Sequence, residues 1–319
     1  MTIASAPGKV IISGEHSVVY GQPALAGALN LRCTAQLQNA DKGLVIHAKD
    51  LNADLIYSPD DLQAVTQQQP VHQGFDNLAG AVLSVQDPND IAYSVSISSE
   101  IPIGAGLGSS AATSVAIVAA LRAHLDQPFD KQDISDLAFR AEKIAHGTPS
   151  GIDNTVASLG GLVHFQAGES RSISLDHEIP LIIANSNIPR NTKELVMRVR
   201  QRKNTIGPFM DDLLQHMGDL TQMIESSLLD SDLERAGQLF DINHGLLDAI
   251  GVNHPKLAQL VTMAREAGAK GAKLTGAGGG GCMIALVDES SKDIVRAAMN
   301  LPGVDIYQTS ISGRGVELR

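Results

Sequence analysis

The segment Ile101-Pro102-Ile103-Gly104-Ala105-Gly106-Leu107-Gly108-Ser109-Ser110-Ala111-Ala112 constrains the chain most. It follows an alternating run, 91–101, and leads into the Ala-, Val- and Ile-rich stretch 113–125. That succession predicts a strand, a glycine loop and a helix. The glycines let the backbone come close to a ligand, and Ser109 and Ser110 fall where the helix begins. Unpaired N–H groups and the positive end of the helix dipole favour an anion there. The loop is not the Walker pattern, because no Gly-Lys-Ser/Thr closes it. Taken alone, the same glycines suit a tight turn equally well.

A length of 319 residues predicts one large or two ordinary domains. With 43% hydrophobic and 18% charged residues, the chain has ample material for a core. Trp is absent and aromatics are few, so that core is aliphatic. A formal charge of −11 argues against a nucleic-acid partner, which needs a basic face, but leaves room for a local basic pocket. Cys33 and Cys282 are far apart in sequence and suit a reducing cytoplasm better than a disulfide framework. Cys282 follows four glycines and is expected to pack as a small apolar residue. No apolar run approaches the roughly 20 residues of a spanning helix, so no membrane is expected.

The first third reads as strand-rich, with strands over 3–6, 10–13, 18–20, 29–38 and 44–48. Helices are predicted over 72–85 and 131–145. For the second, Asp130 offers an N-cap, Ile134, Leu137, Ala138, Ala141 and Ile144 form an apolar stripe, and Gly147 serves as a stop. A strand over 162–166 precedes a polar stretch, 168–178. Beyond it lie a strand over 181–184 and helices over 194–202, 209–229, 233–250 and 256–267. Strands over 272–274, 282–287 and 305–311 and a helix over 291–299 complete the reading. A boundary within 167–180 divides the chain into domains 1–175 and 176–319.

Several charged residues stand beside these elements. Lys9 ends a short apolar run, and Glu15-His16 follow the turn at Gly14. A lysine point charge suits a phosphate or a developing alkoxide, although a solvated strand end explains it as well. Glu142 lies at the edge of an apolar stripe and needs a partner; Arg140 or Lys143 at the surface would supply one. Asp153 falls at a helix start within His146-Gly147-Thr148-Pro149-Ser150-Gly151-Ile152-Asp153-Asn154, where Asp is most often a cap. The run Lys273-Leu274-Thr275-Gly276-Ala277-Gly278-Gly279-Gly280-Gly281-Cys282 lies between strands, which argues against a flexible linker.

In their order, the segments 7–14, 102–112 and 273–282 resemble the three motifs of the GHMP small-molecule kinase superfamily. With 146–154 and Pro189-Arg190-Asn191-Thr192-Lys193, the resemblance is closest to its mevalonate kinase branch and covers nearly the whole chain. It implies an α+β, two-domain GHMP kinase fold: an N-terminal mixed domain with a left-handed β-α-β crossover and a C-terminal ferredoxin-like domain. The implied activity is ATP-dependent phosphorylation of the C5 hydroxyl of mevalonate.

By resemblance, Gly104, Ala105, Gly106, Leu107, Gly108, Ser109 and Ser110 bind ATP. Ser110, with Ser109 as the neighbouring alternative, and Glu142 hold Mg²⁺. Asp153 acts as general base, Lys9 stabilises charge at the alkoxide and γ-phosphate, and Glu15, His16, Thr192, Ala277 and Gly278 bind mevalonate. Arg190 and Lys193 are candidates for its carboxylate. Homologous kinases often pair, so a homodimer is an expectation. Phosphomevalonate kinase, mevalonate 3-kinase and sugar kinase are alternatives in the same class. A non-catalytic sensor on this fold would be expected to lack the charged residues that this chain keeps.

Overall fold

The computed structural model describes residues 1–146 and 151–319. The segment 147–150, with the helix stop expected at Gly147, and the side chain of Ile144 lie outside the described residues. In chain order the elements are strands β1 (Thr2–Ser13), β2 (Ala24–Asn39), β3 (Gly43–Ala48) and β4 (Ala53–Tyr57), then helices α1 (Pro59–Thr66) and α2 (Asp76–Leu83). Strand β5 (Ala92–Ser99) leads to helices α3 (Ser109–His124), α4 (Lys131–His146) and α5 (Ile152–Leu159). Strands β6 (Leu162–Gln166), β7 (Glu169–Ile173) and β8 (Ile179–Asn185) precede helices α6 (Thr192–Ile206), α7 (Pro208–Leu229), α8 (Leu233–Ala249) and α9 (Pro255–Glu266). The chain closes with β9 (Gly271–Leu274), β10 (Cys282–Leu286), α10 (Lys292–Ala298), β11 (Asp305–Ile311) and β12 (Glu317–Leu318).

Two compact units interleave along the chain: Met1–Lys9, Ala28–Gly161 and Arg314–Arg319 form the first, Val10–Gly27 and Leu162–Gly313 the second. Strands β1 and β2 each pass from one unit to the other, and the last residues return to the first unit. There β12 pairs with β1, and the buried Arg32 of β2 donates to the carbonyls of Ser5 (2.8 Å) and Gly315 (2.7 Å).

In the first unit β3 lies parallel to β5, while β2 and β4 run antiparallel to their neighbours, in the order β4-β3-β5-β2. Helix α3 packs among α2, α4 and α5. Residues Ala111 to Arg122 of α3 are all buried, a largely apolar helix thin enough, through its alanines, to be enclosed. Asp130 caps α4 as expected, accepting from the Asp133 N–H at 2.9 Å.

The second unit orders its antiparallel strands β11-β8-β10-β9, and helices lie between β8 and β9 and between β10 and β11. This is the β-α-β-β-α-β ferredoxin-like arrangement. Its core joins Ile182, Leu247, Leu260, Leu274, Met283 and Val295. Among the described residues, no helix is long and apolar enough to cross a membrane.

Local expectations fail in a few places. The apolar triplet 18–20 forms a 3-10 helix, Ser17–Tyr20, because the turn at Gly14 and a positive φ at His16 start a tight coil. The two strands expected over 3–6 and 10–13 are one strand, and 72–85 narrows to α2, since Asp76 accepts the N–H groups of Val71 and His72 and holds them in a loop. The polar stretch 168–178 contains β7, an edge strand whose exposed polar residues hide its pairing with β6.

Replacing Arg32 with Met strands the carbonyls of Ser5 and Gly315, each at a cost of about 1–3 kcal/mol when buried without a donor. The expected outcome is a lower urea midpoint together with faster hydrogen exchange at the Val316 and Arg319 amides, which bond to Ser158 and Ile3. Unchanged exchange at both amides would contradict the tethering role.

Candidate active site

In the first unit the glycine loop takes left-handed conformations at Gly104, Gly106 and Gly108. Ala105 and Leu107 between them are buried, so the loop is anchored by its apolar residues and presents its glycines. The Lys9 N–H donates to the Leu107 carbonyl at 2.8 Å. A Cβ on Gly108 would stand 2.8 Å from Lys9 Cγ, so glycine there lets the lysine stem lie against the loop. Lys9 Nζ then meets Asp153 Oδ1 at 3.1 Å, with side-chain exposures of 13% and 39%. Lys9 is therefore no solvated strand end. Nor is Asp153 a cap: α5 is capped by Gly151 at a φ of 81°, and the carboxylate goes to the lysine instead.

Helix α3 begins at Ser109 after Gly108, with no side chain capping it. Ser110 Oγ donates to Glu142 Oε1 at 2.8 Å and accepts from Asn77 Nδ2 at 3.1 Å. Glu142 is buried, and Lys143 lies over the Phe139 ring instead of joining it in a surface pair. Thus Lys9, Ser110, Glu142 and Asp153 stand in one unit as two contacting pairs, joined through the short path from Gly108 to Ser110. A cavity of about 210 Å³ opens at Ser110, lined also by Asp50, Asn77, Gly104, Ser109 and Thr113 among others, but not by Lys9, Glu142 or Asp153.

In the second unit Glu15 and His16 are both buried. His16 Nε2 donates to the Ala277 carbonyl at 2.9 Å, which fixes its hydrogen on Nε2, and burial lowers its pKa and favours the neutral ring. Glu15 Oε1 is held by the ammonium of Lys273, whose side chain is fully buried. The loop after β9 is clamped: the Gly279 N–H donates to the Val252 carbonyl at 2.8 Å, and a Cβ on Gly278 would stand 2.1 Å from that carbonyl. Thr192 is exposed in the first turn of α6, and no hydrogen bond ties it to Glu15, His16 or Ala277 among the described residues. Lys193 is exposed too, while Arg190 packs against the glycine loop, where a Cβ on Gly281 would stand 2.4 Å from its Nη1. Burial pushes the Cys282 thiol up to about 12, so it packs as an apolar residue as expected.

The GHMP kinase N-terminal domain matches residues 75–161 and the GHMP kinase C-terminal domain residues 224–305. A mevalonate kinase of Thermococcus gammatolerans is 39% identical, the alignment covering 99% of this chain and 98% of that protein. The chain belongs to the mevalonate kinase family. Among solved structures, the Methanococcus jannaschii mevalonate kinase superposes with a TM-score of 0.86 at 27% identity, covering 97% of this chain and 98% of that one. The L. major mevalonate kinase in complex with R-mevalonate gives 0.82 at 26% identity, over 98% and 96% of the two chains.

Two residues of this mevalonate kinase family member escape sequence reasoning. Asn77 sits in an apolar helix among Leu78, Ala79 and Val82, and its burial beside Ser110 follows from that setting. Lys273 stands between Ala272 and Leu274 in a strand whose four residues are all buried. A charge at such a position was the available signal for a buried partner.

Behind β9, His244 accepts the Leu274 N–H at 3.3 Å, and burial, aided by the positive charges of Arg265 and Lys273, lowers its pKa to about 4. The unfolded state takes up this proton near the usual histidine value while the folded state resists it. The stabilisation is therefore complete above about pH 6.5 and is lost as pH falls toward about 4, at up to roughly 1.4 kcal/mol per pH unit. Urea unfolding across this window should show a shallower acid-side decline for His244→Asn than for the wild type. Parallel curves would show that His244 does not carry the effect.

Proposed function

We propose that the protein transfers the γ-phosphoryl group of ATP to the C5 hydroxyl of mevalonate, giving 5-phosphomevalonate and ADP. Family membership over the whole chain sets the reaction class, and the ion pair between Lys9 and Asp153 beside the glycine loop carries the chemical reading.

Phosphoryl transfer needs alignment and neutralised charge more than a strong nucleophile. In this reading Asp153, fixed by Lys9, orients the hydroxyl and takes its proton as the C5 oxygen bonds to the γ-phosphorus. The bond from that phosphorus to the β–γ bridging oxygen breaks, and ADP carries away the electron pair. Lys9 offsets the charge growing between the reacting oxygens. Backbone N–H groups of residues 104–110 and the uncapped start of α3 cradle the phosphates, as an uncapped helix start favours. Glu15, His16, Thr192, Ala277 and Gly278 bind mevalonate. The two buried cysteines fit work in a reducing cytoplasm.

Ser110 and Glu142 fit Mg²⁺: they offer adjacent hard oxygens, and Asn77 steadies the serine. Among the described residues no cluster of three His, Cys, Asp or Glu forms a complete metal cage, which suits an ion completed by phosphate and water. When bound, the ion would neutralise phosphate charge and orient the nucleotide.

Phosphorus NMR of the product tests the reading. A new phosphomonoester split into a triplet by the two C5 protons is expected; a singlet would place the ester on the tertiary C3 oxygen, and no ester at all would remove mevalonate as acceptor. Asp153→Asn and Lys9→Met should each lower kcat by about 10²–10⁴-fold while the circular dichroism spectrum stays unchanged. Turnover near wild type in both would defeat the assigned roles. Glu142→Gln should raise the magnesium concentration needed for half-maximal rate, and an unshifted titration would take Glu142 out of the metal site.

A further inference from the structure

Three alternate residues of β9 and the loop after it tie down the segment 11–16. Lys273 Nζ donates to Glu15 Oε1, Thr275 Oγ1 donates to the Ile11 carbonyl at 2.7 Å, and the Ala277 carbonyl accepts from His16 Nε2 at 2.9 Å. Lys273 makes its tie from within β9, while Thr275 and Ala277 make theirs from the turn that follows, where Gly276 adopts a φ of 75°. Two of the ties are hydrogen bonds that backbone or a neutral ring could make in many ways. The third is a complete charge placed where water does not reach.

Lys273 is 0% exposed and Glu15 4% exposed. An isolated ion in either position would be very costly, so each charge is held by the other. The ammonium also donates to the Leu274 carbonyl at 2.8 Å, which fixes its direction. Burial lowers the pKa of Lys273 and the adjacent Glu15 carboxylate raises it back. The other ionisable neighbours are His16, held neutral by burial, and His244, whose ring lies behind Leu274.

The pair is asymmetric. Oε1 of Glu15 receives the ammonium, whereas Oε2 is buried and accepts no hydrogen bond from any described residue. A pair kept only for stability would satisfy both oxygens or be replaced by apolar side chains at little cost. A carboxylate locked through one oxygen, with the other left as an acceptor, is preorganised for a donor brought by a ligand.

From this geometry we infer that Lys273 is a positioning residue, which holds Glu15 ionised and aimed so that Oε2 receives a hydroxyl of the acceptor substrate. The inference rests on the proposed binding of mevalonate by Glu15. Lys273 touches neither the substrate nor the phosphates and acts through Glu15 alone.

A double-mutant cycle tests this with the full-length enzyme, reading Tm, mevalonate KM, ATP KM and mevalonate binding by calorimetry. Glu15→Gln and Lys273→Met should each raise the mevalonate KM by about tenfold or more, with ATP KM changed by less than about twofold. Lys273→Met, which strands a carboxylate, should have the lowest Tm, and the double variant should recover it. In that recovered protein the mevalonate KM should equal that of Glu15→Gln alone, because the lysine has nothing further to position. Should Lys273→Met fail to fold, the double variant against Glu15→Gln still decides.

Multiplying effects on KM would mean that Lys273 acts independently of Glu15, and a double variant restored in both Tm and KM would reduce the pair to scaffolding. Either result overturns the inference. Failure of the wild-type enzyme to phosphorylate or bind mevalonate would instead sink the functional reading beneath it.

Discussion

The contact between β1 and the glycine loop is the constraint on which the placement of Lys9 beside Asp153 depends. A backbone hydrogen bond from Lys9 to Leu107 sets the register, and the absence of a side chain at Gly108 lets the lysine stem close on the loop. Any Cβ there would push the ammonium off its line to Asp153. The loop is thus a spacer of fixed thickness as well as a source of N–H groups. Its buried Ala105 and Leu107 keep that thickness constant.

The second unit solves a related problem by different means. Glu15 follows a sharp turn in which Gly14 adopts a φ of 92°, so the backbone alone would leave the carboxylate poorly directed. Direction comes from β9, a four-residue strand buried throughout, whose lysine has no route to water. A surface lysine would lose much of its pull to solvent; here the low-dielectric surroundings make the pairing strong and its loss severe. The two units therefore share one device. Each fixes a carboxylate by a lysine that is itself immobilised, Lys9 for Asp153 and Lys273 for Glu15.

Much of this was legible in the chain, for identifiable reasons. Glycine strings between a period-two run and a period-3.6 run mark the loops, and the apolar stripes of α4 and α7–α9 are long enough to read directly. Glu142 stood out because a charge beside a buried stripe needs a partner, whereas Lys9 and Asp153 drew their roles from the family resemblance. The partners themselves could not be read, since long-range pairs such as Ser110 with Glu142 depend on how helices dock. The 3-10 turn at Ser17–Tyr20 carries the same β-branched residues as a strand, and only the neighbouring Gly14 turn decides between them. The interleaved units were invisible for a simpler reason. A two-residue strand at the C-terminus has no periodicity, yet its pairing with β1 assigns it to the first unit.

Helix α3 has almost no face turned to solvent, and its N-terminal turn lies where the glycine loop ends. An element enclosed on every side cannot swing to meet an arriving anion. Its N–H groups are already oriented once the chain has folded, so in the proposed phosphate-binding role the entropy of arranging them is surrendered once per molecule instead of once per turnover. The same enclosure leaves the helix little latitude for drift over evolutionary time, because a larger residue at almost any of its inner positions must displace a neighbour.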